Sequence, residues 1–483
     1  MQSSAGHKGY ILLQVLVSAS IALMVVSGLA SWGIKNNTAT QQNYNRELAL
    51  HIAEAGIEYY RWHLAHAQND YQDGTGVPGP YVHNFNDKDG NIIGNYTLTI
   101  TPPPVGSTVV AIKSTGVLVN DPKLKRSIEV RLGISSWAKF AVVANANMRF
   151  GVGTEVFGPI HSNEGIRFDG VAHNSITSAV AQYNDPDHGN GSKEFGVHTH
   201  VEPVDPQPPS AVPTRTDVFE AGRQFPVPAI DFTGITNDLS AMKTKAQSNG
   251  KYLANSGKLG YHIVFKTNDT FDLYRVDKLE SIPNGCTEVL GQKDWGTWSI
   301  KASGGESLLG NYPNPSNGII FLEDNVWVDG TINTSRMTVA AAEFPDNSKT
   351  RKSITINKDL LYTNYDGTDA LSLIAQYNIN AGLMSEDDLR IDAALFAQNG
   401  RVGRFYYKGE SDHQDRCSPY HIRTKITLYG MLATAERYGF AYTDGTGYQT
   451  RSIIFDTNLQ YSPPPSFPLT SDQYSIISWK EVK

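Results

Sequence analysis

The chain has 483 residues, a formal net charge of −7 at pH 7 and a sequence pI near 6.0, and 40% of its residues are hydrophobic. Its lysines and arginines are dispersed along an acidic chain, which argues against nucleic-acid binding as the primary role. Only two cysteines occur and neither lies in a C-x-x-C sequence, which argues against zinc binding by cysteine pairs.

The first predicted element is an uncharged, proline-free run at residues 10–34. A helix of this length spans roughly 37 Å, enough to cross a hydrocarbon core of about 30 Å. The alternative is a cleaved secretory signal, but the apolar part of such signals is only about 7–15 residues long. Lys8 precedes the run and Lys35 follows it, and the positive-inside rule weakly favours a cytoplasmic N-terminus. We therefore expect a retained transmembrane helix.

Residues 8–17, K-G-Y-I-L-L-Q-V-L-V, resemble the processing site of type IV prepilins and type II secretion pseudopilins. In that family a leader peptide ends in glycine, the next residue is aromatic and N-methylated, and the apolar helix is retained. The resemblance implies that a prepilin peptidase cuts between Gly9 and Tyr10, that residues 1–9 are lost, and that Tyr10 becomes N-methylated.

The chain departs from the family pattern at two positions. The usual phenylalanine is Tyr10, and the usual glutamate, five residues into the mature chain, is Gln14. In the family this glutamate is thought to neutralise the terminal amine of a neighbouring subunit within the apolar filament core, where an unpaired charge is costly. Gln14 cannot balance a charge, so the resemblance implies a minor rather than a major subunit.

The helical pattern continues beyond the uncharged run and predicts one helix from about residue 10 to about residue 69. Apolar residues form two stripes, with Leu48, Ile52, Ala55, Tyr59 and Trp62 in one and Leu50, Ala53, Ile57 and Leu64 in the other. We expect one stripe to pack on the chain's own sheet and the other on helices of neighbouring subunits. The alternative is that both are buried within one domain. Residues 50–59 also resemble the A-E-A-G-I-E box of larger minor-pilin-like proteins.

Strand signals follow at residues 92–101, 108–119 and 127–134, and turn residues precede the first strand and separate the last two. A long helix followed by a small antiparallel sheet is the plan of a pilin domain. The resemblance therefore implies an α+β fold in which residues 35–135 form a pilin-like domain after the transmembrane half at 10–34.

The rest of the chain predicts a large all-β domain, a β-rich head at residues 136–200 and 318–483. Short strand-like segments alternate there with Gly, Asn and Asp corners, which favours a right-handed β-solenoid (β-helix). A β-sandwich is the alternative, because no strict repeat is visible. Residues 201–317 are predicted to be a proline-rich linker and an insertion, with a helix over 232–249 and a hairpin over 261–276.

The two cysteines, Cys286 and Cys417, both fall in the part expected outside the cell. One disulfide between them would close a loop of about 130 residues and contribute roughly 4–5 kcal/mol in the chain-entropy model. Residues 474–479, after a proline-rich segment, resemble the closing segment of pilus-associated proteins with the same helical box.

An enzymatic function is an alternative, because β-solenoids often carry sites that cleave polysaccharides. The candidates are histidines and carboxylates, namely His161, Asp169, His173, His188, His198, His200, Asp366, Asp369 and residues 386–388. His198 and His200 would lie on one face of a strand and could hold a metal with His188 or Asp187. Solvated histidines in a Gly/Asn-rich loop are the preferred interpretation. We therefore predict no catalytic residue, no cofactor and no metal.

Together these features predict a non-enzymatic minor pilin or pseudopilin-like subunit of a type IV pilus or secretion pseudopilus. It would lie in the bacterial inner membrane and then in a pilus or at the cell surface, with its head displayed for adhesion or for priming assembly. Its expected partners are prepilin peptidase, other pilin or pseudopilin subunits, membrane lipid and a surface or glycan ligand, with no nucleic acid. The alternative is a membrane-anchored, glycan-active β-solenoid enzyme or glycan-binding protein.

Overall fold

The computed structural model describes residues 8–104, 106–188, 191–232, 235–409, 416–470 and 473–482. The chain divides into two compact units, which are described separately. The helix–sheet unit comprises Met1–Pro103, Val109–Gly133 and Gln473–Lys483. The large β unit comprises Pro104–Thr108 and Ile134–Asp472.

The helix–sheet unit begins with one continuous helix, α1 (Lys8–His66), as the sequence predicted. Its apolar half, residues 10–34, is exposed, and by length and composition the helix can cross a membrane. The other half has one buried face, formed by Ala49, Ile52, Ala53, Gly56, Ile57, Tyr60 and Leu64. This face draws residues from both expected stripes, whereas Trp62 is 59% exposed. The expected separation into two stripes is therefore wrong.

The sheet of this unit is an antiparallel meander of β1 (Tyr81–Asn86), β2 (Ile92–Thr101), β3 (Val110–Leu118) and β4 (Lys125–Gly133). The last three strands lie within a few residues of the predicted ones, and β1 was not predicted. Buried residues alternate with less buried ones along β2 and β3, so one face of the sheet packs on α1. This core fixes the helix to the sheet.

A fifth strand, here called the C-terminal strand (Ser475–Val482), pairs antiparallel with β4. The sequence predicts these residues as part of the head at 318–483, and the structure shows that this assignment is wrong. In the structure Trp479 pairs with Val130 and Ile476 with Leu132, which completes the edge of the helix–sheet unit. The large β unit is thus inserted in the chain between β4 and the C-terminal strand.

The large β unit contains three ladders of parallel strands. Ladder A runs, in spatial order, through Lys251–Leu253, Ile319–Leu322, Arg336–Ala341, Ala370–Ala375, Asp388–Ala397, Ile422–Thr434, Val142–Ala144, Ile160–Ser162, Ile176–Ser178 and Arg223–Gln224. Leu432 pairs with Val142 in this ladder, so the early and late parts of the chain join in one stack.

Ladders B and C run alongside ladder A. Ladder B contains Gly260–Lys266, Val326–Ile332, Ile354–Thr355, Ile379–Ala381 and Val402–Arg404, and a second part with Met148–Phe150, Ile166–Phe168 and Val197–His198. Ladder C joins the end of Val326–Ile332 to Leu360–Tyr362, the first halves of Asp388–Ala397 and Ile422–Thr434, and then Gly447–Phe455, Thr154–Phe157 and Val171–Ala172.

The three ladders contribute to one hydrophobic core. Leu373 of ladder A, Ile379 of ladder B and Leu428 of ladder C belong to the same buried cluster. Strands pass from one ladder to the next at sharp bends, and Gly330, with a φ of 101°, makes such a bend within Val326–Ile332. Pairing along these ladders is parallel, whereas sandwiches of the immunoglobulin type are built from antiparallel sheets. The prediction of a large β-rich region is confirmed.

Residues 201–317 contribute strands to ladders A and B, whereas a linker and a separate insertion would not. Arg223–Gln224 and Lys251–Leu253 form the two ends of ladder A, and Gly260–Lys266 pairs with Val326–Ile332. The predicted hairpin is confirmed, because Gly260–Lys266 pairs antiparallel with Thr270–Val276, and Glu306–Pro313 extends it. Arg223–Gln224 lies within a proline-rich stretch, which gives no strand pattern in the sequence.

The remaining elements lie around the ladders. Helix α2 (Ile235–Asn249) buries Leu239, Met242 and Ala246 against residues of ladder A. Short 3₁₀ helices occur at Trp137–Lys139 and Thr457–Gln460. A small antiparallel hairpin, Gln182–Asn184 with Lys193–Phe195, precedes Val197–His198 of ladder B. This hairpin positions the histidine cluster described next.

Candidate functional site

The first candidate site is the apolar half of α1. Residues 10–34 carry no charge, and their large side chains are exposed. The hydroxyl groups of Ser20 and Ser27 donate to the carbonyl oxygens of Leu16 and Met24, at 2.8 and 3.0 Å. These two hydroxyl groups are therefore satisfied within the helix, which lowers the cost of placing them in hydrocarbon or against other helices.

The residues of the expected processing site lie at the beginning of α1. Residues 1–7 fall outside the described part of the chain, and the helix starts at Lys8, so Gly9 has helical backbone. Tyr10 is 67% exposed, and Gln14 is exposed one turn further along the same helix face. Processing and methylation at Gly9 and Tyr10 stay predictions.

The second candidate site is a cluster of three histidines and two carboxylates on the small hairpin and the strand that follows it. Here it is called the histidine cluster, and its members are Asp185, His188, Glu194, His198 and His200. Potential ligand atoms of Asp185, His188 and His200 all lie within 4.8 Å of one another, and so do those of Glu194, His198 and His200. The His200 ring centroid lies 4.2 Å from that of His188 and 5.0 Å from that of His198.

Burial and charge in this cluster differ from the sequence-based expectation. His198 is 0% exposed, and the side chains of Asp185 and Glu194 are each 2% exposed. The preferred interpretation of solvated surface histidines is therefore wrong for His198, because ladder B and the hairpin enclose it. Asp187, the expected alternative ligand, instead pairs with Arg437 at 2.6 Å.

The cluster shifts the pKa of two of its members. Burial, together with the charges of Arg167, His198 and His188, lowers the pKa of His200 to about 4, which leaves this imidazole neutral at pH 7. Burial opposes ionisation of Asp185, but the neighbouring His198, a hydrogen bond from the Asp187 backbone nitrogen and the positive charge of Arg167 outweigh it. The pKa of Asp185 therefore lies well below its usual range, and the carboxylate is ionised.

The third candidate site is a cleft of about 830 Å³ in the large β unit. Its charged lining residues are Arg149, Lys293, Arg401, Arg437 and Arg451, against Asp187 and Glu436. Arg401 lies over the Phe405 ring at 4.8 Å, and its Nη2 atom is buried without a hydrogen-bond partner among the described residues. Lys293 lies over the Tyr377 ring at 4.5 Å. A cleft with this excess of cations suits a ligand that carries negative charge.

Sequence reasoning missed an ion-pair triad around His262. This side chain lies 2.7 Å from Glu306 and 2.9 Å from Asp329 through its two ring nitrogens, and the residue is 5% exposed. Burial alone would lower the pKa of His262, but its hydrogen bonds to Asp329 and Glu306 and their charges raise it to about 9. In Gly260–Lys266 the apolar residues Tyr261, Ile263 and Phe265 face the core, and this alternation could have indicated that His262 faces outward. The two partners of His262 could not be predicted, because they lie more than 40 residues away in the sequence.

Several candidate catalytic residues instead hold the ladder corners. Asp369 accepts hydrogen bonds from the backbone nitrogens of Ser335 and Thr363, at 2.9 and 3.0 Å. Glu386 accepts from the Asp359 nitrogen at 2.9 Å. His161 is buried against Thr177, His173 pairs with Glu220, and Asp169 pairs with Arg167. These contacts give each of these residues a structural role.

The two cysteines lie together in a buried part of the large β unit. Cys286 and Cys417 form a disulfide, and Leu383, Phe405 and Tyr407 pack around it. Beside it the guanidinium of Arg404 is fully buried and donates to the carbonyl oxygens of Gly382, Leu383 and Tyr420 and to the hydroxyl of Ser385. The region is held by covalent and polar links.

Comparison with known proteins adds little to these observations. No protein-family model matches the chain, and no curated protein matches it in sequence. Solved structures similar to it include that of the competence-associated pilin ComZ from Thermus thermophilus, at 13% identity and a TM-score of 0.30. The match covers 91% of this chain and 97% of that one. A TM-score this low does not establish a shared fold, so the function must be argued from the residues of this chain.

Proposed function

We propose that this chain is a minor-pilin-like or pseudopilin-like filament subunit, anchored in the bacterial inner membrane by residues 10–34 and assembled through α1. The observation that carries the proposal is the division of one continuous helix into two halves. The first half is uncharged and exposed, and the second packs on an antiparallel sheet. Such a helix can lie in lipid before assembly and against the helices of neighbouring subunits after it.

The large β unit would then be the displayed part of the subunit. We propose that it is a β-solenoid, which is supported by the parallel ladders and by the core that ladders A, B and C share. Adhesion or priming of assembly are the roles that such a head would serve, without bond chemistry.

The proposal includes processing between Gly9 and Tyr10, N-methylation of Tyr10 and a minor-subunit role for Gln14. Prepilin peptidase, other pilin subunits and membrane lipid are the partners that this requires. A neutral Gln14 suits a subunit at the filament tip, where no further subunit presents a terminal amine to be neutralised. The filament can be a pilus or a secretion pseudopilus.

Mass spectrometry of the protein recovered from its host tests the proposal. We expect a mature chain that begins at methylated Tyr10, and we expect Gly9→Val to retain the leader because a bulky residue replaces glycine at the cut. Gly6→Val, a matched change within the leader, should still be processed. A mature chain that keeps Met1, or one that begins near Ala30, would contradict the proposal.

The cationic cleft favours a second candidate function, a glycan-binding head. Arg401 and Lys293 line this cleft and are each held over a buried aromatic ring, and sugars with carboxylate groups can pair with such cations. Binding of full-length protein to acidic and neutral oligosaccharides would test this role. Weaker binding by Arg401→Gln, with no release of sugar product, would support a binding head. Product release would instead support the glycan-active alternative.

A further inference from the structure

We propose that the histidine cluster is a zinc site, with His200 as a ligand together with carboxylate and imidazole groups of Asp185, His188, Glu194 and His198. The site lies in the large β unit and is independent of the assembly role of α1. It joins the hairpin of Gln182–Asn184 and Lys193–Phe195 to the strand Val197–His198, which the hairpin immediately precedes.

The first argument is the position of the ligand atoms. Nε2 of His198 and Oδ2 of Asp185 are 3.5 Å apart, too far for a strong hydrogen bond. Both atoms are buried and have no hydrogen-bond partner among the residues that the structure describes. Two ligands of a tetrahedral zinc ion with bonds of about 2.0–2.1 Å are roughly 3.4 Å apart. The spacing of these two buried atoms is thus compatible with shared coordination, and a metal ion held by either group of three would lie beside at least one of them.

The second argument is the charge of the cluster. Glu194 is buried, and its described partners are His188 at 3.1 Å and the Gln207 amide at 2.8 Å, neither of which carries a permanent positive charge. Asp185 has Arg167 at 3.8 Å, but Arg167 also forms a closer pair with Asp169 at 2.8 Å. A buried carboxylate such as that of Glu194 is costly without a charged partner, and a divalent cation supplies one.

The third argument concerns the identity of the metal. Three imidazoles with two carboxylates form a nitrogen-rich set, which zinc and its first-row neighbours prefer, whereas calcium and magnesium prefer oxygen ligands. The five side chains exceed the four ligands of a structural zinc site, and His200 is common to both groups of three. Loss of His200 therefore affects either arrangement, while loss of His188 or His198 affects only one.

Purified full-length protein in detergent, prepared without a histidine tag and stripped with a chelator, would be dialysed against zinc and analysed for metal. We expect about one zinc ion per chain and a rise in Tm on zinc addition. Cobalt in place of zinc should give the visible absorption of a four-coordinate nitrogen and oxygen site. His200→Ala should lower the zinc affinity by at least about 100-fold, which exceeds the typical effect of losing a supporting residue.

His173→Ala is the matched control, because His173 lies in the same unit but pairs with Glu220 outside the cluster. It should bind zinc as the wild type does. Circular dichroism of both metal-free variants would show whether they fold. If His200→Ala does not fold, Glu194→Gln supplies a second and more conservative test of zinc binding. Zinc binding that is absent in the wild type, equal in His200→Ala, or weaker than calcium binding would overturn the proposal.

Discussion

Gly116 of β3 lies so close to α1 that a β-carbon at this position would collide with the carbonyl oxygen of Ala49. The same atom would lie 2.6 Å from the backbone nitrogen of Ala53. Because both obstacles are backbone atoms, the helix could accept a side chain here only by moving away from the sheet. We expect Gly116→Ala to lower the free energy of unfolding of the helix–sheet unit by at least about 2 kcal/mol.

Thermal unfolding of the full-length protein in detergent would measure this effect. Lys113→Ala, an exposed change on the same strand, is the control and should alter Tm by little. Equal Tm values for Gly116→Ala and Lys113→Ala would show that α1 does not approach β3 so closely.

The disulfide between Cys286 and Cys417 bridges a sequence separation of 131 residues. In the chain-entropy model a cross-link over such a loop contributes about 4–5 kcal/mol, chiefly by restricting the unfolded chain. We expect the double variant Cys286→Ala with Cys417→Ala to lose about that much stability in urea unfolding. Wild-type protein treated with reductant should show the same midpoint as the double variant, and an unchanged midpoint in both cases would contradict the expected effect.

The raised pKa of His262 predicts a pH dependence of stability. Its folded pKa of about 9 exceeds the unfolded value of about 6.5, so its contribution is fully present below pH 6.5 and is lost as the pH rises through 9. We expect the wild type to lose up to about 3 kcal/mol between these values relative to His262→Gln. Urea unfolding across this range measures the difference, and parallel profiles for the two proteins would show that His262 is not charged in the folded state.

Arg404 predicts that a conservative substitution will not be tolerated. Its buried guanidinium donates to three carbonyl oxygens and a hydroxyl, and it lies over the rings of Tyr407 and Tyr448 at 4.8 and 5.8 Å. A lysine ammonium cannot reach all of these acceptors, so Arg404→Lys should cost about 2–4 kcal/mol in unfolding free energy.

Arg275→Lys is the control for Arg404, because Arg275 is partly exposed and pairs with Asp277 at 2.8 Å. This change should leave the unfolding midpoint almost unchanged, because exposed ion pairs contribute little to stability. Similar losses for the two variants would mean that the buried position of Arg404 does not matter.

Deletion of residues 473–483 should destabilise the helix–sheet unit. The deletion removes the pairing with β4, the contact of the Tyr474 hydroxyl with that of Tyr71 at 3.2 Å, and the ion pair of Glu481 with Arg126. We expect faster amide exchange along β4 and a lower Tm for this unit. Lys480→Ala, which removes one exposed ion pair with Glu129, should leave exchange along β4 unchanged. Full protection of β4 in the deleted protein would contradict the pairing.

Local patterns in the sequence predicted the elements of the helix–sheet unit well. The 3.6-residue periodicity indicated α1, and alternation indicated β2, β3 and β4 within a few residues. The buried face of α1 was predicted less accurately, because it depends on how closely the helix backbone approaches the sheet. A β-carbon at Gly56 would lie 2.8 Å from the Tyr96 ring, and this requirement for glycine is set by the sheet.

The strand partners that could not be predicted are those that lie far apart in the sequence. Leu432 joins Val142 and the C-terminal strand joins β4 across hundreds of residues, and no local pattern specifies such partners. The histidine cluster shows the same limit. The spacing of His198 and His200 placed them on one strand, but their burial depends on a hairpin whose pairing is non-local. The partners of His262 come from two further strands.

The position of the C-terminal strand has a consequence for the order in which the protein can mature. The helix and β1 to β4 are synthesised first, but the edge of β4 stays unpaired until the whole large β unit and the residues after it have been made. A chain interrupted anywhere in its large β unit therefore exposes a free strand edge, which invites aggregation or proteolysis. The five-stranded sheet of the helix–sheet unit is therefore complete only in chains that also contain the entire large β unit.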